Sequence, residues 1–245
     1  MDFHTQADIK QRVQARLEFV EIVLGLNAQF LTPGLIPAHA DGTLSFDHPW
    51  RHFDALMNYL LLTCFDMLGQ SREFTDFNSW LVGKDYREER EMAASKIPAG
   101  TDSVTSARTL NRVYLDLYGA RVSFFRFIDK VLGLDANQEL LMSVRIMRGD
   151  IERNEWTSIT VEPAASKQAL FHLRNMYTHR GVSIGGIYGG VVRDWYGYQS
   201  EGYARILREE RNGIRTDYCV RRWPDVLVDA VKTGLNYIEA DSKEK

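Results

Sequence analysis

Cysteine, proline and long apolar runs are all scarce in this sequence, and each scarcity excludes a class of protein. The two cysteines, Cys64 and Cys219, lie far apart without CxxC spacing, so we expect separate reduced thiols and no disulfide framework. The longest nearly apolar stretch, residues 59–65, is far shorter than the roughly 20 residues that span a bilayer. The first residues lack the basic and apolar segments of a signal peptide. The sequence therefore predicts a cytoplasmic protein that does not enter a membrane.

Charge of one sign is also lacking. The chain has 30 basic and 33 acidic residues, which give a formal net charge of −3. This excludes a polycation, so any contact with nucleic acid has to come from a local patch. Hydrophobic residues make up 44% of the 245 positions, enough to build a core, and the length suits one large domain.

The six prolines and long stretches with 3.6-residue periodicity predict a mainly helical chain. We predict an all-α, up-and-down helical bundle that forms a single domain over residues 1–245. Helices are predicted at 5–30, 47–69, 103–132 (the longest, with Gly133 as its C-cap), 137–147, 163–180 and 224–240. The first helix has a predicted apolar stripe at i, i+4, i+8, i+11 and i+15, which consists of Ile9, Val13, Leu17, Val20 and Leu24. Residues 156–161 could be extended. The predicted domain divides into an N-terminal helix and loop (1–46), a bundle (47–180), an irregular insertion rich in glycine, tyrosine and arginine (181–222), and a C-terminal helix (223–245).

The segment 164–181 is the most informative helix. Its predicted core face consists of Ala169, Leu170, Leu173, Met176 and Tyr177, which lie within about 120° of arc. A polar ridge at i, i+4, i+7 and i+11 consists of Gln168, His172, Asn175 and His179. Lys167 and Arg174 share a second line beside the core face. The helix therefore carries polar groups suited to chemistry along one edge of a packed surface.

Residues Arg174-Asn175-Met176-Tyr177-Thr178-His179 resemble the R-x4-6-H signature of the HEPN superfamily, including the asparagine that often follows the arginine there. That resemblance implies an all-α bundle. Many members of the family are metal-independent endoribonucleases in toxin, antiphage and RNA-processing systems. The resemblance therefore implies RNA as the substrate, no cofactor or metal, and a homodimer in which two motifs share one cleft. A toxin role would add an antitoxin protein as a partner.

The residue types suit RNA cleavage without a metal. Arg174 stays charged and its planar fork matches phosphate oxygens, so it is predicted to stabilise the developing phosphate charge. His179 is predicted to transfer the proton, since imidazole titrates near neutral pH. Asn175, one turn before His179, is predicted to orient the ring or the phosphate. Lys167, His172 and Arg180 are predicted to contact the substrate.

Structural roles stand beside each of these predictions. Arg174 could pair with a carboxylate of a neighbouring helix, His179 could interact with the helix dipole, and Lys167 could be a solvated charge. Two other functions stay open. The chain could be a non-catalytic HEPN-like module that binds RNA or nucleotides or acts as a scaffold. It could also be a helical metal-binding protein centred on His48 and His52.

The insertion is predicted to form loop, a small hairpin and one short helix, and it offers a further RNA-binding hypothesis. Aromatic residues and arginines are the groups that bind single-stranded RNA by stacking and phosphate contact. Residues 205–222 carry six arginines and three acidic residues, which gives a local charge of about +3. The alternative is that these aromatic residues lie in the core and the arginines form surface ion pairs.

Overall fold

The computed structural model describes residues 6–30, 52–71, 75–150, 155–159, 161–179 and 202–244. Most of these residues are helical, which confirms the mainly helical prediction. The helices are α1 (Gln6–Phe30), α2 (His52–Leu68), α3 (Phe77–Val82), α4 (Arg87–Ala94), α5 (Ser103–Tyr118), α6 (Ala120–Arg126), α7 (Leu134–Met142), α8 (Pro163–His179) and α9 (Asp225–Glu244). The strands are β1 (Val144–Asp150), β2 (Glu155–Ile159), β3 (Tyr203–Arg211) and β4 (Ile214–Arg221).

Helix α2 lies at the centre of the helical packing and contacts α1, α6, α8 and α9. It can do so because it is apolar on several sides, as its run Leu60-Leu61-Leu62 shows. Fully buried side chains from these helices form one core: Val13, Val20, Met57, Leu61, Leu62, Phe65, Phe124, Phe127, Leu170 and Val231. The predicted apolar stripe of α1 is therefore the face that packs.

The chain also contains a four-stranded antiparallel sheet in the order β2-β1-β4-β3, which the all-α prediction did not include. Strand β2 confirms the extended stretch predicted within 156–161. The helix predicted at 137–147 is wrong at its end, because α7 stops at Met142 and β1 begins at Val144. Within the predicted irregular insertion, 203–221 forms the regular hairpin β3–β4. Its turn, Asn212-Gly213, has φ angles of 53° and 75°, as a two-residue hairpin turn of type I′ requires. Residues 181–201 lie outside the described ranges.

The single helix predicted over 103–132 is interrupted. Gly119 is extended, its N–H bonds the Leu115 carbonyl at 2.9 Å, and the chain continues as α6. A π-helical turn, Phe127–Val131, ends this segment, and Gly133 precedes α7 instead of capping a long helix. Helix α1, with 25 residues, is longer than α5 or α6.

Helix α8 packs between α2 and the sheet, and this position sets the environment of the motif. The Tyr177 hydroxyl donates a hydrogen bond of 2.8 Å to the Ile206 carbonyl of β3. No helix of the described part is both long and apolar enough to cross a membrane. Both cysteines are free and buried.

Candidate functional site

The arginine of the motif, Arg174, forms an ion pair with a carboxylate of α2. Arg174 donates from Nε and Nη2 to Asp66 Oδ2, at 2.8 and 2.6 Å, and only 11% of its side chain is exposed. Its Nη1 donates to Asn175 Oδ1 at 3.2 Å. The guanidinium is largely buried because the line of α8 that carries Arg174 faces α2. Pairing with a carboxylate of a neighbouring helix, the structural alternative, is what the structure shows.

Asp66 is an unusual partner because it lies in an apolar helix and is itself only 12% exposed. Burial raises its pKa from 3.8 to about 6, although Arg174 and, to a lesser degree, Arg16 lower it. Its second oxygen, Oδ1, is buried and has no hydrogen-bond partner among the residues described. The carboxyl group therefore titrates close to neutral pH and can exchange a proton in the range where enzymes work.

A second arginine reaches the same face of α2. Arg16 of α1 donates from Nη1 to the Thr63 hydroxyl at 2.6 Å, and Thr63 lies one turn before Asp66. The Thr63 hydroxyl in turn donates to the Tyr59 carbonyl at 2.7 Å. Three helices thus bring together what we call the arginine cluster, consisting of Arg16, Thr63, Asp66, Arg174 and Asn175.

Sequence reasoning did not single out Asp66 or Arg16. A signal for Asp66 was present, since an acidic residue between Phe65 and Met67 interrupts an otherwise apolar helix. A buried carboxylate needs a compensating charge, so an acidic residue at this position predicts a cationic side chain from another helix or strand. No comparable signal marks Arg16, because α1 carries several charged residues.

Lys167 and His172 do not join the arginine cluster. Lys167 Nζ lies 2.7 Å from Asp129 and stands over the Phe125 ring, about 10 Å along the helix axis from Arg174. His172 Nε2 lies 3.1 Å from a Glu209 carboxylate oxygen on the sheet side of α8. Lys167 therefore already pairs with an acidic residue, two turns before Arg174 on the same line of the helix. His172 lies beside a carboxylate on another side of the helix, and its Nε2 makes no hydrogen bond to a described residue.

The structure describes the backbone of the C-terminal end of the motif, at His179, but not its side chain. Helix α8 ends at His179, whose side chain, like the whole of Arg180, lies outside the described residues. Positions 174 and 179 of an α-helix are about 140° apart around the axis and about 7.5 Å apart along it. A single copy of α8 therefore presents these two positions toward different directions.

Most arginines of residues 205–222 form ion pairs: Arg205 and Arg208 with Asp217, Arg215 with Glu210, and Arg222 with Glu139 and Asp229. Arg208 binds Asp217 through two bonds of 2.7 Å, and Arg215 pairs with Glu210 at 2.7 Å. Tyr203 of the same hairpin is buried. The alternative of core aromatics and ion pairs therefore describes most of this hairpin, while Arg211 and Arg221 are exposed.

The proposed metal centre cannot be placed. His48 and the side chain of His52 lie outside the described residues, and among those described no group of three or more histidine, cysteine or acidic side chains could hold a metal ion. Neither a protein-family model, nor a curated protein, nor a solved structure matches this chain. We therefore infer a function from the motif helix and its neighbours alone.

Proposed function

We propose that this chain is a metal-independent endoribonuclease of HEPN type that acts on RNA in the cytoplasm. The observation that carries the proposal is the contact of Arg174 with both Asp66 and Asn175, on a helix whose last residue is His179. This arrangement combines the fixed cation of Arg174, the carboxyl group of Asp66, which titrates near neutral pH, and the imidazole of position 179, about one and a half turns further along the helix.

In this proposal, Asp66 orients the guanidinium of Arg174. The three described hydrogen bonds of Arg174 use three of the five N–H groups of a guanidinium. The other two suit the equatorial oxygens of a phosphate, where negative charge builds up during the reaction.

The chemical step is attack of the RNA 2′-oxygen on the adjacent phosphorus. The 2′-hydroxyl loses its proton as the new bond forms, and the 5′-oxygen leaves and takes up a proton. His179 would carry out one of these transfers, since its imidazole can act as acid or base near neutral pH. The products would be a 2′,3′-cyclic phosphate and a 5′-hydroxyl, with no cofactor.

A homodimer would complete the site. Because positions 174 and 179 diverge by about 140°, a second α8 helix in an isologous pair can bring its own position 179 toward the first copy's Arg174. Mixing Arg174→Ala and His179→Ala proteins tests this, because mixed dimers of a composite site regain one intact cleft.

Cleavage of an unstructured RNA by the purified full chain in EDTA tests the catalytic role. We expect Arg174→Ala and His179→Ala each to lose on the order of 10²-fold or more of the rate. Arg87→Ala is the control, because its side chain is 76% exposed and pairs with Glu91 on the surface. A wild type that leaves RNA intact, or variants that cut as fast as it does, would refute the proposal.

A non-catalytic module that binds RNA or nucleotides is the second candidate. It is favoured by the closed state of Arg174, whose guanidinium already has a carboxylate partner and little exposure. Binding of RNA without cleavage, in wild type and His179→Ala alike, would identify this function. Growth arrest on overexpression that His179→Ala abolishes would instead support a toxin or antiphage role, with an antitoxin protein as the partner to search for.

A further inference from the structure

Helix α2 presents two successive polar side chains to arginines from two different helices. Thr63 accepts from Arg16 at 2.6 Å, and Asp66 accepts from Arg174 at 2.6 and 2.8 Å. Side chains three residues apart on a helix are neighbours, about 5–6 Å between their Cβ atoms. The two guanidinium groups therefore lie against one face of α2, one turn apart.

The charges in this cluster do not balance. Two guanidinium groups face one carboxylate, which leaves a formal charge of +1, and Thr63 contributes none. The nearby Cys64 adds no negative charge, since burial raises the pKa of its thiol to about 12. A positive centre that is largely shielded from water attracts an anion more strongly than an exposed one does.

We propose that Arg16 is a second phosphate-binding residue, which holds a phosphodiester of the RNA strand together with Arg174. The inference rests on the proposed function and adds a residue from α1 that lies outside the motif. The Thr63 hydroxyl takes one of the five N–H groups of the Arg16 guanidinium, so the fork keeps donors for phosphate oxygens.

Salt dependence of RNA binding separates a phosphate contact from a structural role. Each phosphate contact to a single strand contributes about −0.7 to the slope of log K against log salt concentration. Binding would be measured by fluorescence anisotropy with a labelled single-stranded RNA, in a His179→Ala background that keeps both arginines and prevents cleavage. Arg16→Gln in this background should weaken binding about tenfold and make the slope shallower by about 0.7.

Arg112→Gln in the same background is the matched control. It removes the same charge from an exposed position of α5, so the slope should not change. Inorganic phosphate and unlabelled RNA serve as competitors. If unlabelled RNA displaces the labelled strand and millimolar phosphate does not, binding requires the RNA strand and not a single phosphate group.

The outcomes are distinct. If the parent protein binds RNA and Arg16→Gln has the same slope and affinity as Arg112→Gln, the inference is wrong and the proposed function stands. If the wild type neither binds nor cleaves RNA, the proposed function fails and the inference with it. If Arg16→Gln does not fold, as circular dichroism would show, Arg16→Met keeps the aliphatic stem and is held to the same two criteria.

Discussion

Replacing Asp66 with asparagine should change how the stability of this protein depends on pH. The pKa of Asp66 is about 6 in the folded chain and 3.8 at its ordinary value. Between these values the folded carboxyl binds a proton that the unfolded one has released, so the free energy of unfolding falls as the pH rises. Each pKa unit is worth about 1.4 kcal/mol, and the unfolded carboxyl is already largely ionised at pH 4, so the wild type should lose about 2.4 kcal/mol through this residue between pH 4 and pH 7.

Asparagine has no proton to exchange, so Asp66→Asn lacks this contribution. Urea unfolding, followed by tryptophan fluorescence at four pH values from 4 to 7, measures the difference between variant and wild type. Groups that both proteins share cancel in that difference, as does any constant effect of the amide on Arg174. We expect the variant to gain about 2.4 kcal/mol on the wild type across the range.

Asp129→Asn provides the control, because Asp129 makes the same kind of ion pair with Lys167 but is 43% exposed. The difference in unfolding free energy between Asp129→Asn and the wild type should stay below about 1 kcal/mol from pH 4 to pH 7. If the unfolding free energies of Asp66→Asn and wild type run parallel from pH 4 to 7, the raised pKa is wrong. The ion pair with Arg174 would then compensate fully for the burial of the carboxylate.

Two further predictions concern the frame around the site. Gly69→Ala should destabilise the chain by about 3 kcal/mol or more in urea unfolding, because its Cβ would lie 1.9 Å from the Ser123 carbonyl oxygen. Gly133→Ala, with open space around the new Cβ, should cost only about 1 kcal/mol, because alanine is a poorer N-cap of α7 than glycine, and equal effects would contradict the packing argument. Tyr177→Phe should cost about 1–2 kcal/mol by removing the buried bond to the Ile206 carbonyl, yet leave RNA cleavage in place. Loss of cleavage with unchanged stability would give Tyr177 a role in the chemistry.

Local pattern was enough to predict much of the helical structure. The stripe through Val13, Leu17 and Val20 predicted the buried face of α1, and Leu170 and Leu173 predicted that of α8. These predictions succeed because helical periodicity places residues three and four apart on one face, whatever the rest of the chain does.

Strand β1 shows where local pattern fails. Residues 144–147 follow α7 without a break in apolar spacing, so they looked like its continuation. Their extended form is stabilised by pairing with β4, about 70 residues later in the chain, and no window of sequence contains that partner. Gly119 likewise looked like one residue of a long helix, although the chain there is extended.

The sequence by itself determined that Arg174 lies on a helix, beside its core face and five positions before His179. The tertiary structure decided what that arginine contacts. Asp66 is 108 residues away, and Arg16 and Thr63 are 47 residues apart. The electrostatics of a partly buried charge depend on the groups that packing brings within a few ångströms, and packing joins elements whose separation along the chain carries no periodic signal.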